Sequence, residues 1–127
     1  MLETTDIIWT TSEVSMFMSN PVLADGTLYG MSHLRSGQFF ALDAASGDTL
    51  WRTEGREATN SAVVMAGDLL FLLNNDADLV VAQMSRNGFT QVSRYEVAPS
   101  ATWAQPAISG NRLFIKDESS VTLWTIE

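Results

Sequence analysis

The stretch ALDAASGDTLW, Ala41–Trp51, reads as a strand, a tight turn and the start of a second strand. Gly47 stands in the turn, where a Cβ would obstruct the chain. Asp43, just ahead of it, carries a carboxylate able to accept backbone N–H bonds across the turn. Trp51 offers the second strand an indole that can bury ~150–250 Å² against a neighbouring sheet, its N–H then needing one acceptor. Each of these features is explained by one sheet packing on another.

Working outward, three segments align: NPVLADGTLYGMSHLRSGQFFALDAASGDTLWRTE from Asn20, SAVVMAGDLLFLLNNDADLVVAQMSRNGFTQVSRYEV from Ser61, and QPAISGNRLFIKDESSVTLWTIE from Gln105. Leu28-Tyr29, Leu70-Phe71 and Leu113-Phe114 share one place in the repeat, and Ala41 matches Ala82 as Gly47 matches Gly88. In the first repeat the apolar runs VLA, TLYGMS, QFFALD and TLWRTE are divided by Asp25-Gly26, Ser36-Gly37 and Ser46-Gly47. Short runs rich in Val, Leu, Phe, Tyr and Trp read as strands, and Gly, Asn and Asp supply the positive φ that hairpins need. No segment holds a helical apolar period. The expected fold class is all-β: a partial β-propeller of about three four-stranded antiparallel blades.

The phase of the repeat sets the expected boundaries. Trp9, in DIIWTTSE, lies 42 residues ahead of Trp51, which makes residues 7–12 the outer strand of a preceding blade. Blades follow at 20–54 and 61–97, and 105–127 is an incomplete last blade. An unfinished blade leaves an open edge, and propellers close by completing it with a strand from the other terminus. Three blades fall short of the roughly four to eight of known rings. Either remaining blades of a longer propeller complete the ring, or two copies pair about a two-fold axis. In the homodimer each Asp6–Thr11 strand would finish the other copy's last blade and close a six-bladed ring.

A net charge of -8 with seven scattered Lys and Arg argues against nucleic acid as a partner. The absence of cysteine removes disulfides, thiolate metal sites and a cysteine nucleophile from consideration. The opening MLETTDIIWTTSEV is acidic where a signal peptide is basic and then apolar, and no apolar run reaches membrane-spanning length.

With its repeat and its Ala41, Asp43, Gly47 and Trp51, the chain resembles the PQQ-like β-propeller repeat family, shared by quinoprotein dehydrogenases and BamB-like outer-membrane assembly lipoproteins. Those four residues resemble the family's tryptophan-docking motif, which the resemblance makes a structural blade staple. Met84 and Val92 replace Asp43 and Trp51 in the second repeat. The resemblance implies a bacterial, periplasmic or otherwise exported protein acting as a non-catalytic scaffold for a protein partner. Its rival is a part of a PQQ-dependent dehydrogenase whose active-site residues lie outside this chain. A quinoprotein site would show an aspartate base and calcium-binding carboxylates, and no segment here matches it. No catalytic residue, cofactor or metal is therefore expected within these residues.

Other candidates have simpler explanations. Asn74, Asn75, Asp76 and Asp78 carry oxygen ligands suited to Ca²⁺ but lack the spacing of a calcium loop, so a hairpin turn is expected. His33 is read as an exposed loop residue, and Asp117 with Glu118 as a charged turn. Trp103 lies in the crossing APSATWAQP between blades; Met16, Phe17 and Met18 occupy the earlier crossing and Thr59-Asn60 the middle one. Blade crossings lie near the central channel, and Trp is enriched at interfaces. Trp103, Phe17, Met18 and Asn60 are thus the candidate binding face.

Overall fold

The computed structural model describes residues 5–126. Its hairpins follow from local chemistry. Asp25 and Gly26 both take positive φ (47° and 73°), the pairing that a two-residue hairpin turn with the right twist requires. They join β1 (Val22–Ala24) to β2 (Thr27–Ser32). A single 3₁₀ turn, Leu34–Ser36, leads to β3 (Gln38–Asp43), and the Ala44–Asp48 turn leads to β4 (Thr49–Arg52). These four strands form one antiparallel sheet in chain order. The second sheet repeats the meander with β5 (Ser61–Ala66), β6 (Leu69–Asn74), β7 (Asp78–Gln83) and β8 (Gln91–Glu96). The third contains β9 (Ala107–Ser109), β10 (Arg112–Lys116) and β11 (Val121–Thr125). The chain is all-β, and its three sheets are not closed on themselves.

Period-two alternation explains how the sheets stack. In β6, Leu70 and Leu72 face the first sheet, joining Tyr29, Met31, Phe39 and Ala41. Phe71 and Leu73 face the third, with Leu79, Val81, Leu113 and Ile115. Both faces of the middle sheet are therefore apolar and covered. On the outer face of the first sheet, Phe40 and Leu42 pack under Val14, Trp9 and Leu28. The far face of the third sheet has no such cover among the described residues: Val121 is 70% and Leu123 52% exposed.

One expectation differs from the structure. Residues 7–12 are not a strand. A strand exists only through its ladder, and its neighbour would belong to a preceding blade. The segment is held by Trp9 instead.

Candidate functional site

The turn between β3 and β4 is built around Asp43. Its Oδ1 accepts the N–H groups of Ala45 (2.9 Å) and Ser46 (3.2 Å), while Oδ2 receives Arg86 Nη2 at 2.7 Å. The Arg86 guanidinium, followed by those two N–H groups, holds the Asp43 carboxyl below the usual carboxylate range. Gly47 takes φ 78°, and the Trp9 ring lies where its Cβ would be. Trp9 Nε1 donates to Ala44 O at 2.8 Å. Ala41 is fully buried and stands opposite Trp51 in the ladder.

Trp51 makes the corresponding contact one blade on. Its Nε1 donates to Ser85 O at 2.7 Å, and its ring meets Phe89 (centroids 5.7 Å apart) and Tyr29 (6.4 Å). The two dockings differ beneath the indole, because a Cβ on Gly88 would meet nothing within 4 Å. Phe89, packed on Trp51 and Phe39, does the filling there. Arg86, from the same turn, reaches back to Asp43 and to Thr27 Oγ1 at 2.6 Å. Sequence reasoning missed this clamp, since a lone arginine in a turn carries no pattern.

The crossings are joined by side chains 42 residues apart. Asn60 accepts Met18 N–H at Oδ1 (3.3 Å) and donates through Nδ2 to Met18 O (3.2 Å). Ser19 Oγ donates to Ser61 O at 2.5 Å. Asn60 N–H donates to Asn75 Oδ1 (3.0 Å), and Asn75 N–H returns a bond to Asn60 O (2.9 Å). Thr102 then donates its N–H to Asn75 O (3.0 Å) and its hydroxyl to Asn74 O (2.6 Å). A polar chain thus runs Met18–Asn60–Asn75–Thr102 through all three crossings. Equivalent positions of successive repeats, Met18 with Asn60 and Ser19 with Ser61, touch at these crossings.

Of the four residues expected on a binding face, three are exposed. Phe17 is 63%, Met18 58% and Trp103 43% exposed. Asn60 is a correction: at 3% exposure it is buried, because the Met18 backbone it satisfies would otherwise lack partners. Its amide resembles a surface residue in sequence, and the partner 42 residues away is the only signal that could have placed it.

Of the loop candidates, Asn75, Asp76 and Asp78 are occupied locally, whereas Asn74 is buried with both its side-chain amide atoms unpartnered among the described residues. Asp78 pairs with Arg94 at 2.8 Å, Asp76 Oδ1 accepts Asp78 N–H, and Asn75 serves the crossing. Among the described residues no three His, Cys, Asp or Glu side chains are grouped to hold a metal ion. His33 is exposed in its loop, edge-to-face with Phe17 at 6.4 Å.

Asp117 organises the β10–β11 turn. Its Oδ1 accepts Ser119 N–H (3.0 Å), Ser120 N–H (2.8 Å) and Ser120 Oγ–H (2.9 Å). The Ser119 N–H first, and then the Ser120 hydroxyl, lower its carboxyl to about 2 from 3.8. A lowered folded-state value means stability that is complete above the unfolded value, near 3.8, and lost as pH falls through about 2. Asp117→Asn therefore lowers the melting temperature at neutral pH. Melting curves of variant and wild type converge between pH 3.8 and about 2; a constant gap across that window would show that the carboxylate charge is not what the turn uses.

With three stacked meanders and their repeated indole contacts described, comparison with known proteins becomes informative. A family model described as outer membrane protein assembly factor BamB matches residues 2–125. The chain belongs to the BamB-type PQQ-like repeat family. BamB from Moraxella catarrhalis shares the fold, with TM-score 0.64 at 19% identity over 84% of this chain. The chain spans 30% of that BamB structure's length. The computationally designed Ika4 protein also aligns, with TM-score 0.55 and 8% identity, over 98% of this chain and 99% of its own. No curated protein matches the chain.

Proposed function

We propose that this BamB-type segment is a non-catalytic scaffold whose crossing face docks a protein partner. One observation carries the reading: the polar chain Met18–Asn60–Asn75–Thr102, with Asn60 and Thr102 buried, ties the crossings together while leaving Phe17, Met18 and Trp103 exposed. Large apolar side chains held rigidly in the open lose little entropy on contact, which favours association. In this reading Ala41, Asp43, Gly47 and Trp51 staple the blades, whose limits are 20–54, 61–97 and 105–127, with 7–12 belonging to a preceding blade. The family's role in outer membrane protein assembly supports a periplasmic location, and among the described residues no helix is long and apolar enough to cross a membrane.

The test is site-specific photo-cross-linking from positions 17 and 103, with position 95 on the outer strand as control. A stoichiometric partner captured from the first two, lost in Phe17→Ser/Trp103→Ser and rebound when purified, is the expected result. Equal capture from position 95, or none anywhere, would sink the reading.

A second reading has its own observation. Strand β11 leaves one edge unpaired, with Val121 and Leu123 exposed, and Ile7 and Ile8 are 85% and 82% exposed beside a Trp9 docked as Trp51 is. In this reading segment 7–12 would become a fourth strand once given a neighbour, and the three-stranded last sheet would receive its fourth. Two copies supply each other's missing neighbour, as would the remaining blades of a longer propeller. Sedimentation equilibrium of this chain is then expected to show a dimer with no larger species. A monomer, or open-ended growth through the β11 edge, would refute the six-bladed pairing.

A further inference from the structure

Beside the crossing face lies an open cleft of about 570 Å³ lined by Phe17, His33, Ser36, Arg56, Ala58 and Thr59. Its lining combines the apolar side chains of Phe17 and Ala58 with a guanidinium, an imidazole and two hydroxyls. In a chain of net charge -8 this is an unusual grouping. Arg86 and Arg94 are the arginines in ion pairs among the described residues, and Arg52 is held by Glu13 O. The Arg56 guanidinium, like those of Arg35 and Arg112, makes neither an ion pair nor a hydrogen bond to any described residue, although Glu54 and Glu57 flank it in sequence.

The two loops that form its walls are tied to each other. Arg35, Ser36 and Arg56 take φ of 52°, 61° and 62°, a conformation that L side chains rarely adopt. Arg56 N–H donates to Arg35 O at 3.0 Å and Glu57 N–H to Gly37 O at 3.0 Å, locking the two loops together. Strained backbone that its surroundings hold in place concentrates at ligand clamps. A preformed cleft saves its ligand the cost of ordering the loops.

We propose that this cleft binds an extended peptide segment of the partner protein, its single carboxylate on Arg56 and an adjacent apolar side chain on Phe17. The inference rests on the scaffold reading above and names the chemistry that the face would recognise. A planar guanidinium without a partner matches one carboxylate in two parallel hydrogen bonds. The net charge of -8 repels a run of acidic residues at long range, so one carboxylate suits the site and an acidic tract does not. Ser36 and Thr59 supply hydroxyls for the peptide backbone.

The probe is the capped hexapeptide acetyl-Gly-Leu-Asp-Phe-Ser-Gly-amide, titrated into ¹⁵N-labelled protein and followed by NMR. Its Asp→Asn isostere is the control. Saturable binding is expected, with shifts confined to residues 17, 33–37 and 56–59. The isostere and the Arg56→Gln variant each bind at least about tenfold more weakly, and the two losses do not add, as befits one shared contact. Arg56 is exposed, so the variant keeps its fold, which its unperturbed distant resonances verify. No saturation by about 5 mM, equal affinity for peptide and isostere, or shifts on another surface would overturn the proposal. The scaffold reading is judged separately: cross-links from positions 17 and 103 that survive Arg56→Gln leave it standing while the carboxylate site falls.

Discussion

Trp51→Ala lowers the unfolding free energy by about 3 kcal/mol, near the lower end for removing a large aromatic because the ring is only partly buried. Against a total of about 5–15 kcal/mol for an ordinary domain, that is a large fraction of the stability. Two losses combine. The indole leaves a gap between Tyr29 and Phe89, the aromatic contacts that bridge the first and second sheets. The Ser85 carbonyl also loses its donor. Trp51→Phe separates the two by keeping a ring and removing the N–H, and is expected to cost about 1 kcal/mol. Urea titrations of both variants measure the effect. A loss under about 1 kcal/mol for Trp51→Ala would mean that Trp51 is a surface ornament and that the sheets are held by their aliphatic core alone.

Gly37→Ala is the second large effect. Gly37 has φ 104° and ψ 116°, a region open to glycine and strongly disfavoured for alanine. The added Cβ would also overlap Ala58 O and stand 2.8 Å from Ala58 N and 2.6 Å from Met31 Cε. Backbone atoms cannot swing aside as a side-chain end can, so the 54–58 loop must move bodily. Conformational strain and displacement together are expected to cost at least about 3 kcal/mol. Gly67→Ala is the internal control. It shares a positive φ of 60°, but its Cβ would meet nothing within 4 Å. It is expected to cost only about 1 kcal/mol. Urea midpoints give the two values, and amide exchange of Glu57, whose N–H bonds Gly37 O, reports the loop directly. If the two alanine variants cost the same, the close approach of the two loops is not what requires glycine at position 37.

Both predictions bear on the proposed function because they act on the supports of the proposed crossing face. Trp51 fixes how one blade sits on the next, which sets the distance between crossings. Gly37 lets the 33–37 turn sit directly against Ala58, so Phe17, His33 and Arg56 share one cleft.

How much of this lay in the order of residues differs element by element. The meanders did, because a hairpin is decided locally: alternating apolar runs form strands, and Asp25-Gly26 or Gly110-Asn111 turns them. So did the stacking of sheets, since Leu70 and Leu72 on one face and Phe71 and Leu73 on the other demand cover on both sides. The 42-residue spacing of Trp9 and Trp51 was visible too, and both indoles donate to a turn carbonyl, Ala44 O and Ser85 O.

What sequence could not supply is which polar side chain meets which from one repeat to the next. Asn60 reads as a surface amide, and only the fold of neighbouring repeats puts it on the backbone of Met18. Residues 7–12 carry strand-forming residues yet form no strand, because a ladder needs a neighbour that local propensity cannot provide. Arg86 reaches Asp43 from 43 positions away, and Arg56 meets Phe17 and His33 only once two loops interlock. Local chemistry governs contacts between residues a few positions apart. The crossing face and its cleft are made by residues about twenty to forty apart, and their meeting depends on how one blade sits on the next.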